Sequence, residues 1–179
     1  MNPSEGLFFR TALVTLWPRF VFTNRTLHPL VVTTGAAQES QEEENAGIQS
    51  EFSVGVGEEL PLLSLRSKDP RIRVRLQDTT YCPEIRAEKE GEYALKLRST
   101  DGLRRTILRF SVRRLRSRMQ ITARNEHQLH CLLRIANNSS LGIGYRQHIK
   151  NTELHRTWDI VGPDCCAVFG WESLEAEDL

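Results

Sequence analysis

The sequence predicts an all-β protein made of tandem antiparallel β-sandwich-like modules, the second of them incomplete. Three observations carry this. Apolar residues recur at every second position through most of the chain, as in strands with one buried face. Turn residues separate these runs, and no stretch keeps a 3.6-residue period over three turns. One unit is written twice. With Asn24 aligned on Asn137, Phe20 and Phe22 fall on Leu133 and Ile135, Thr26 on Ser139, and Leu30 and Val32 on Ile143 and Tyr145. A strand, an Asn-x-Thr/Ser turn and a second strand, repeated about one small domain apart, point to duplication.

The elements follow in order. Residues 1–16 read as an N-terminal strand or the end of a preceding module; Thr11, Val14 and Thr15 favour strand over helix. A first module is expected over 17–128. Its segment 35–50 is polar, acidic and poor in strand formers, and reads as a loop. Arg71 to Leu76 alternates Arg with Ile, Val and Leu. Tyr93 to Arg98, Leu108 to Arg113 and Met119 to Ala123 do the same, with turns at Asp69-Pro70, Glu90-Gly91 and Asp101-Gly102. A second module is expected to start at 129 and to run to 179. Asn24 precedes Val56-Gly57 by 32 residues, whereas Asn137 precedes Val161-Gly162 by 24, so the acidic loop is expected to house eight extra residues. The second module stops after two or three strands, as a fragment of a longer chain or a module completed by a partner would.

Bulk properties exclude little but set limits. With 179 residues, 39% hydrophobic and 26% charged, the chain is globular, and its net charge of +1 demands no nucleic acid. The charge is uneven: residues 39–59 hold seven Glu and no Lys or Arg, while residues 96–118 hold nine Lys or Arg against Asp101 alone. Cys82, Cys131, Cys165 and Cys166 form no disulfide framework. Vicinal Cys165 and Cys166 read as reduced core thiols, which favours a reducing, cytoplasmic setting and leaves the sequons at Asn24, Asn137 and Asn138 unused. No secretory signal is evident, and no apolar run approaches the ~20 residues of a spanning helix.

Catalytic chemistry finds no foothold. His127 and His130 fall where the chain alternates, so they are expected on opposite faces of a strand, and a metal site needs three or four convergent ligands. No nucleophile elbow or Cys–His pairing occurs. Gly142-Ile143-Gly144 reads as tight packing within a strand repeat. No cofactor, metal or catalytic residue is assigned. Two binding surfaces remain. If the strands at 71–76, 93–98 and 107–113 are neighbours, Arg71, Arg73, Arg75, Arg98, Arg109 and Arg113 form one basic face for lipid head groups or nucleic acid. The other reading of these strands is a solvated face balanced by the acidic loop and tail, and it is preferred because no aromatic residue interleaves to stack bases. The repeated Asn24 and Asn137 are either turn locks or amides that orient a bound peptide.

The motifs resemble a known family. Trp17 to Thr26 (WPRFVFTNRT), Val56 to Pro61, Arg134 to Ser139, Tyr145-Arg146-Gln147 and Gly162-Pro163 through Phe169-Gly170-Trp171-Glu172 follow, in order, the repeats of the adaptor-binding (SHR-binding) region of Vps13 proteins. Arg25 fits the basic residue often found after the Asn, and Asn138 does not; Tyr81-Cys82-Pro83 stands where a Trp is common. The resemblance covers about residues 10–175. It implies a non-enzymatic region of a cytosolic bridge-like lipid transfer protein, recruited to organelle membranes and contact sites by Pro-x-Pro peptides on adaptor proteins. An extended peptide of this kind suits an open sheet edge. The expected groove lies between the two units, near Asn137, with Tyr145, Gln147 and Trp171 as its candidate lining.

Overall fold

Strict alternation places two layers of side chains face to face. The structure, a computed structural model, describes residues 16–35, 50–65, 69–147 and 158–174. The expected N-terminal strand, apart from Leu16, and the expected acidic loop, apart from its two end residues, lie outside the described residues. Among the described residues nine strands build the first unit. One sheet has the order β4 (Glu59–Pro61), β1 (Phe20–Arg25), β9 (Arg118–Asn125), β8 (Arg105–Leu115) and β7 (Gly91–Arg98). The other has the order β3 (Ser50–Val54), β2 (Leu30–Gly35), β5 (Arg71–Arg75) and β6 (Ile85–Arg86). Phe20, Phe22, Leu95, Leu97, Leu108, Phe110 and Ile121 of the first sheet share one core with Leu30, Val32, Ile72, Val74 and Ile85 of the second. No α-helix occurs among the described residues, and the architecture is all-β and sandwich-like.

One pair departs from the antiparallel expectation. β1 runs parallel to β9, from Phe20 opposite Met119 to Arg25 opposite Arg124. A parallel pair needs a long crossover, and the rest of the unit supplies it. The first unit therefore closes by bringing its last strand beside its first.

The second unit repeats the start of the first: β10 (Arg134–Asn137), β11 (Ile143–Tyr145), β12 (Asp159–Val161) and β13 (Cys165–Val168). The pairings match residue for residue. Phe22 opposite Leu60 is answered by Ile135 opposite Ala167, and Leu30 opposite Val54 by Ile143 opposite Val161. Positive φ recurs at the same turn position, Gly57 at 79° and Asp164 at 49°. This register corrects the sequence alignment. Asn24 bonds Val54, 30 residues on, and Asn137 bonds Val161, 24 residues on, so the first unit is longer by six residues and not by eight. The chain reads Val-Gly twice over at 54–57, and the partner of Val161-Gly162 is the first pair.

The asparagines explain why the repeat is built this way. Asn24 Nδ2 donates to the carbonyls of His28 and Val54, both at 3.0 Å, and its Oδ1 accepts from Thr26 N–H at 2.9 Å and Thr26 Oγ1 at 2.8 Å. Asn137 Nδ2 lies 2.7 Å from the Leu141 carbonyl, 3.1 Å from that of Val161 and 2.9 Å from that of Gly162, while Oδ1 accepts from Ser139 N–H and Oγ. Each amide thus fastens the turn after its own strand to the end of the third strand. Both residues are buried, at 0% and 1% exposure.

Two smaller expectations are corrected. His127 caps and His130 ends a single 3-10 turn at Gln128–His130 instead of alternating on a strand, and their rings stack at 5.8 Å. Cys165 and Cys166 are exposed free thiols, because among the described residues β13 has only β10 beside it; Cys82 is buried, and burial pushes its thiol up to about 12.

Asn24→Asp is expected to destabilise the first unit by about 3 kcal/mol, because an isosteric carboxylate sets acceptors against two buried carbonyls. Chemical denaturation measures it; a loss below about 0.5 kcal/mol contradicts the locking role.

Candidate binding site at the junction of the two units

β7 is an edge strand, and the second unit uses that edge. Trp171 N–H donates to the Ala94 carbonyl at 2.7 Å, and Lys96 N–H donates to the Trp171 carbonyl at 2.9 Å, extending the sheet by one short parallel bridge. Gly170 permits the approach. A Cβ there would lie 3.0 Å from Ile107 Cγ2 and 3.2 Å from the Lys96 nitrogen. Gln147 clamps the same segment: its Oε1 accepts from the N–H groups of Glu172 (2.7 Å) and Ser173 (3.1 Å), and its Nε2 donates to the Ser173 carbonyl (3.0 Å).

Charge is buried at this contact. The Lys96 side chain is fully enclosed and pairs with Asp159 and, at 3.0 Å, with Glu172. Arg98 reaches Glu172 at 2.5 Å, and Arg105 reaches Asp159 at 2.8 Å. Burial alone would raise both carboxyls. The hydrogen bonds and charge of Lys96 and Arg98, with Arg105 on Asp159, outweigh it and hold both below the ordinary carboxylate range. Tyr145 and Phe169 lie over Lys96 with ring centroids at 5.7 and 5.8 Å, and Trp171 meets Phe169 edge-on at 5.1 Å.

Beside this plug a crevice of about 280 Å³ opens between the β7–β8 turn and β12. Its apolar lining is unusually exposed for such residues: Leu103 at 86%, Ile160 at 69% and Trp158 at 56%. Arg104 and Arg105 flank it. Gly144 lies under the Trp158 indole, where a Cβ would sit 3.2 Å from the ring, and Arg146 stacks on that ring at 4.7 Å. Among the described residues β12 pairs only with β11 and its outer edge has no partner strand, as is so for β3 in the first unit. Such a site can hold an extended chain by backbone hydrogen bonds and seat small rings on the indole.

The candidates from sequence divide sharply. Tyr145 and Trp171 are half-buried and meet through Phe169 at the junction, and Gln147 is buried with its amide engaged by backbone. Asn24 and Asn137 are enclosed locks with no free amide group to offer a ligand. The arginines do not form one face. β5 lies in the other sheet from β7 and β8, so Arg71, Arg73 and Arg75 are separated from Arg98, Arg109 and Arg113. Each also has a carboxylate: Glu84 for Arg71 and Arg73, Glu51 for Arg75, Glu172 for Arg98, Glu126 for Arg109 and Glu92 for Arg113. Missed from sequence were Lys96, Leu103, Trp158, Asp159 and Ile160. In the true register, Trp158-Asp159-Ile160 replaces Glu51-Phe52-Ser53, an inversion of polarity that the eight-residue alignment hid.

Because both carboxyls titrate below their ordinary values, the cluster contributes its stability above about pH 4 and loses it as pH falls through the depressed native values. Amide hydrogen exchange at Lys96 and Trp171 is expected to accelerate there, ahead of the β8 and β9 amides. Lys96→Ala leaves two buried carboxylates and is expected to cost about 3 kcal/mol by denaturant titration; a neutral result refutes the plug.

No curated protein matches the chain. Residues 1–163 match the family model for the adaptor binding domain of vacuolar-sorting associated protein 13, and with that share of its length the protein belongs to this family.

Proposed function

We propose that the module binds short proline-containing peptides of adaptor proteins in the junction crevice, and so recruits the protein that carries it to organelle membranes. It acts by binding and not by catalysis. The observation that carries this reading is the exposed apolar trio Leu103, Trp158 and Ile160 beside the open edge of β12. Proline rings present flat apolar faces that suit an indole, and a Pro-x-Pro segment donates N–H only from its middle and flanking residues, so it needs an edge that accepts such sparse bonding. The buried charges below hold β12 against the first unit, which preforms the crevice and lowers the ordering cost of binding. No helix among the described residues is long and apolar enough to cross a membrane, so membrane attachment through a partner fits the chain. Asn137 acts in this scheme by holding β10, the following turn and β12 together.

Titration of a Pro-x-Pro peptide tests the site. Trp158→Ala is expected to weaken binding about 30-fold, the effect of losing an aromatic anchor worth roughly 2 kcal/mol. Ile160→Asp is expected to weaken it similarly, with circular dichroism unchanged. Affinity should vary little between low and moderate salt, because the contacts are mainly apolar. Unchanged affinity in both folded variants removes the crevice from the function.

A further inference from the structure

At the other end of β8 the outer sheet face has a different character. β7 pairs with β8 as far as Gly91 opposite Val112, and β1 with β9 as far as Phe20 opposite Met119, so the tip of the β8–β9 hairpin, 113–118, lies past the end of both ladders. It reads Arg113-Arg114-Leu115-Arg116-Ser117-Arg118, turns at Arg116 with φ of 58°, and exposes Leu115 at 43%. Arg114, Arg116 and Arg118 form no ion pair among the described residues. At the base of the hairpin a cup of about 260 Å³ is rimmed by Arg25, Arg113 and Arg124 and floored by Ser111, Gln120 and Thr122. Neither the Ser111 nor the Thr122 hydroxyl has a hydrogen-bond partner among the described residues. Three carboxylates stand nearby. Glu92 pairs with Arg113 at 2.8 Å and lies 3.9 Å from Arg124, Glu59 bonds Thr23 at 3.4 Å, and Glu90 accepts the Arg114 backbone N–H at 2.6 Å. Among the described residues, six arginines against these three glutamates leave a local excess of positive charge.

We infer that this hairpin and cup form a second binding surface, for the phosphate head groups of an anionic membrane. Guanidinium groups and hydroxyls with open donors are the chemistry that holds a phosphoryl group. A projecting basic finger with a leucine at its tip fits a bilayer surface, where the arginines meet lipid phosphates and the apolar side chain enters the interface. RNA fits less well, because no aromatic side chain lines the cup to stack a base. The surface is separate from the peptide crevice. Ile107, which packs on Gly170 at the junction, and Arg113 are six residues apart on one strand, about 20 Å. The strands in between join them rigidly, so a membrane at one end and an adaptor at the other can be engaged together.

Co-sedimentation of the whole chain with vesicles at physiological salt tests this. The vesicles are phosphatidylcholine alone, or phosphatidylcholine with phosphatidylserine, or with a phosphatidylinositol monophosphate. Binding is expected only to the anionic vesicles. The triple variant Arg114→Glu, Arg116→Glu, Arg118→Glu is expected to weaken it about a hundredfold, and Leu115→Asp to weaken it several-fold, each with an unchanged unfolding midpoint. Arg25→Ala with Arg124→Ala should abolish any preference for the phosphoinositide and its competition by soluble inositol phosphate; phosphate held by the cup predicts that preference. No binding above phosphatidylcholine, an unaffected triple variant, or tight RNA binding without vesicle binding overturns the inference. None of these variants touches the crevice, so a failed peptide site and a failed membrane surface are told apart.

Discussion

A carboxamide enclosed in a protein has two N–H groups and two lone pairs to satisfy, and in each unit of this chain the backbone satisfies them. The donors reach carbonyls of the turn after the first strand and the end of the third; the oxygen takes the N–H and hydroxyl of the Thr or Ser two residues on. The amide is therefore a fixed spacer between strands in different sheets: β1 lies in the five-stranded sheet, and β2 and β3 in the other. With that spacing set, the pairing register of each sheet follows, and a slip by one residue would strand several buried polar groups at once. The identical registers of the two units are the consequence.

The junction depends on a second constraint, a buried lysine. Lys96 stands on the outer face of β7, where solvent would be its natural partner. Its enclosure is tolerable because Asp159 and Glu172 meet it and Arg98 and Arg105 complete the network. A buried charge cluster adds little net stability over an apolar contact of the same size, but it accepts far fewer alternative arrangements. Together with the Gly170 approach and the Gln147 clamp, it fixes where β12 sits. Placement, more than strength, is what a preformed crevice needs.

Much of the first unit was legible in the sequence, because every second residue of 71–76, 93–98 and 107–113 is apolar and the sheet reads that period directly. The Asn repeat was legible for the same reason. Sheet membership was not: alternation says which side of a strand is wet and nothing about which strand lies beside it, so three arginine-rich strands looked like one basic face. The parallel pairing of β1 with β9 was hidden likewise, since it depends on the whole crossover. The junction escaped for a narrower reason. Val54-Gly55-Val56-Gly57 offers two alignments to Val161-Gly162, and the wrong one conceals that Asp159 occupies the place of Phe52.

That substitution carries most of the difference between the units. In β3, Glu51 and Ser53 face water while Phe52 and Val54 face inward, the ordinary arrangement of an edge strand. In β12 the inward residue before Val161 is an acid, satisfied by a lysine from the other unit, and the outward residues are Trp158 and Ile160. The backbone scaffold, its turn and its amide lock are unchanged, so the inversion costs the repeat nothing in register. It converts one strand face from a solvated surface into an apolar one beside an unpaired edge. An exposed edge with apolar side chains is a hazard for aggregation unless something specific covers it. Here the edge is only three residues long and flanked by Arg104, Arg105 and Arg146, which limits indiscriminate sheet growth and leaves room for one short extended peptide.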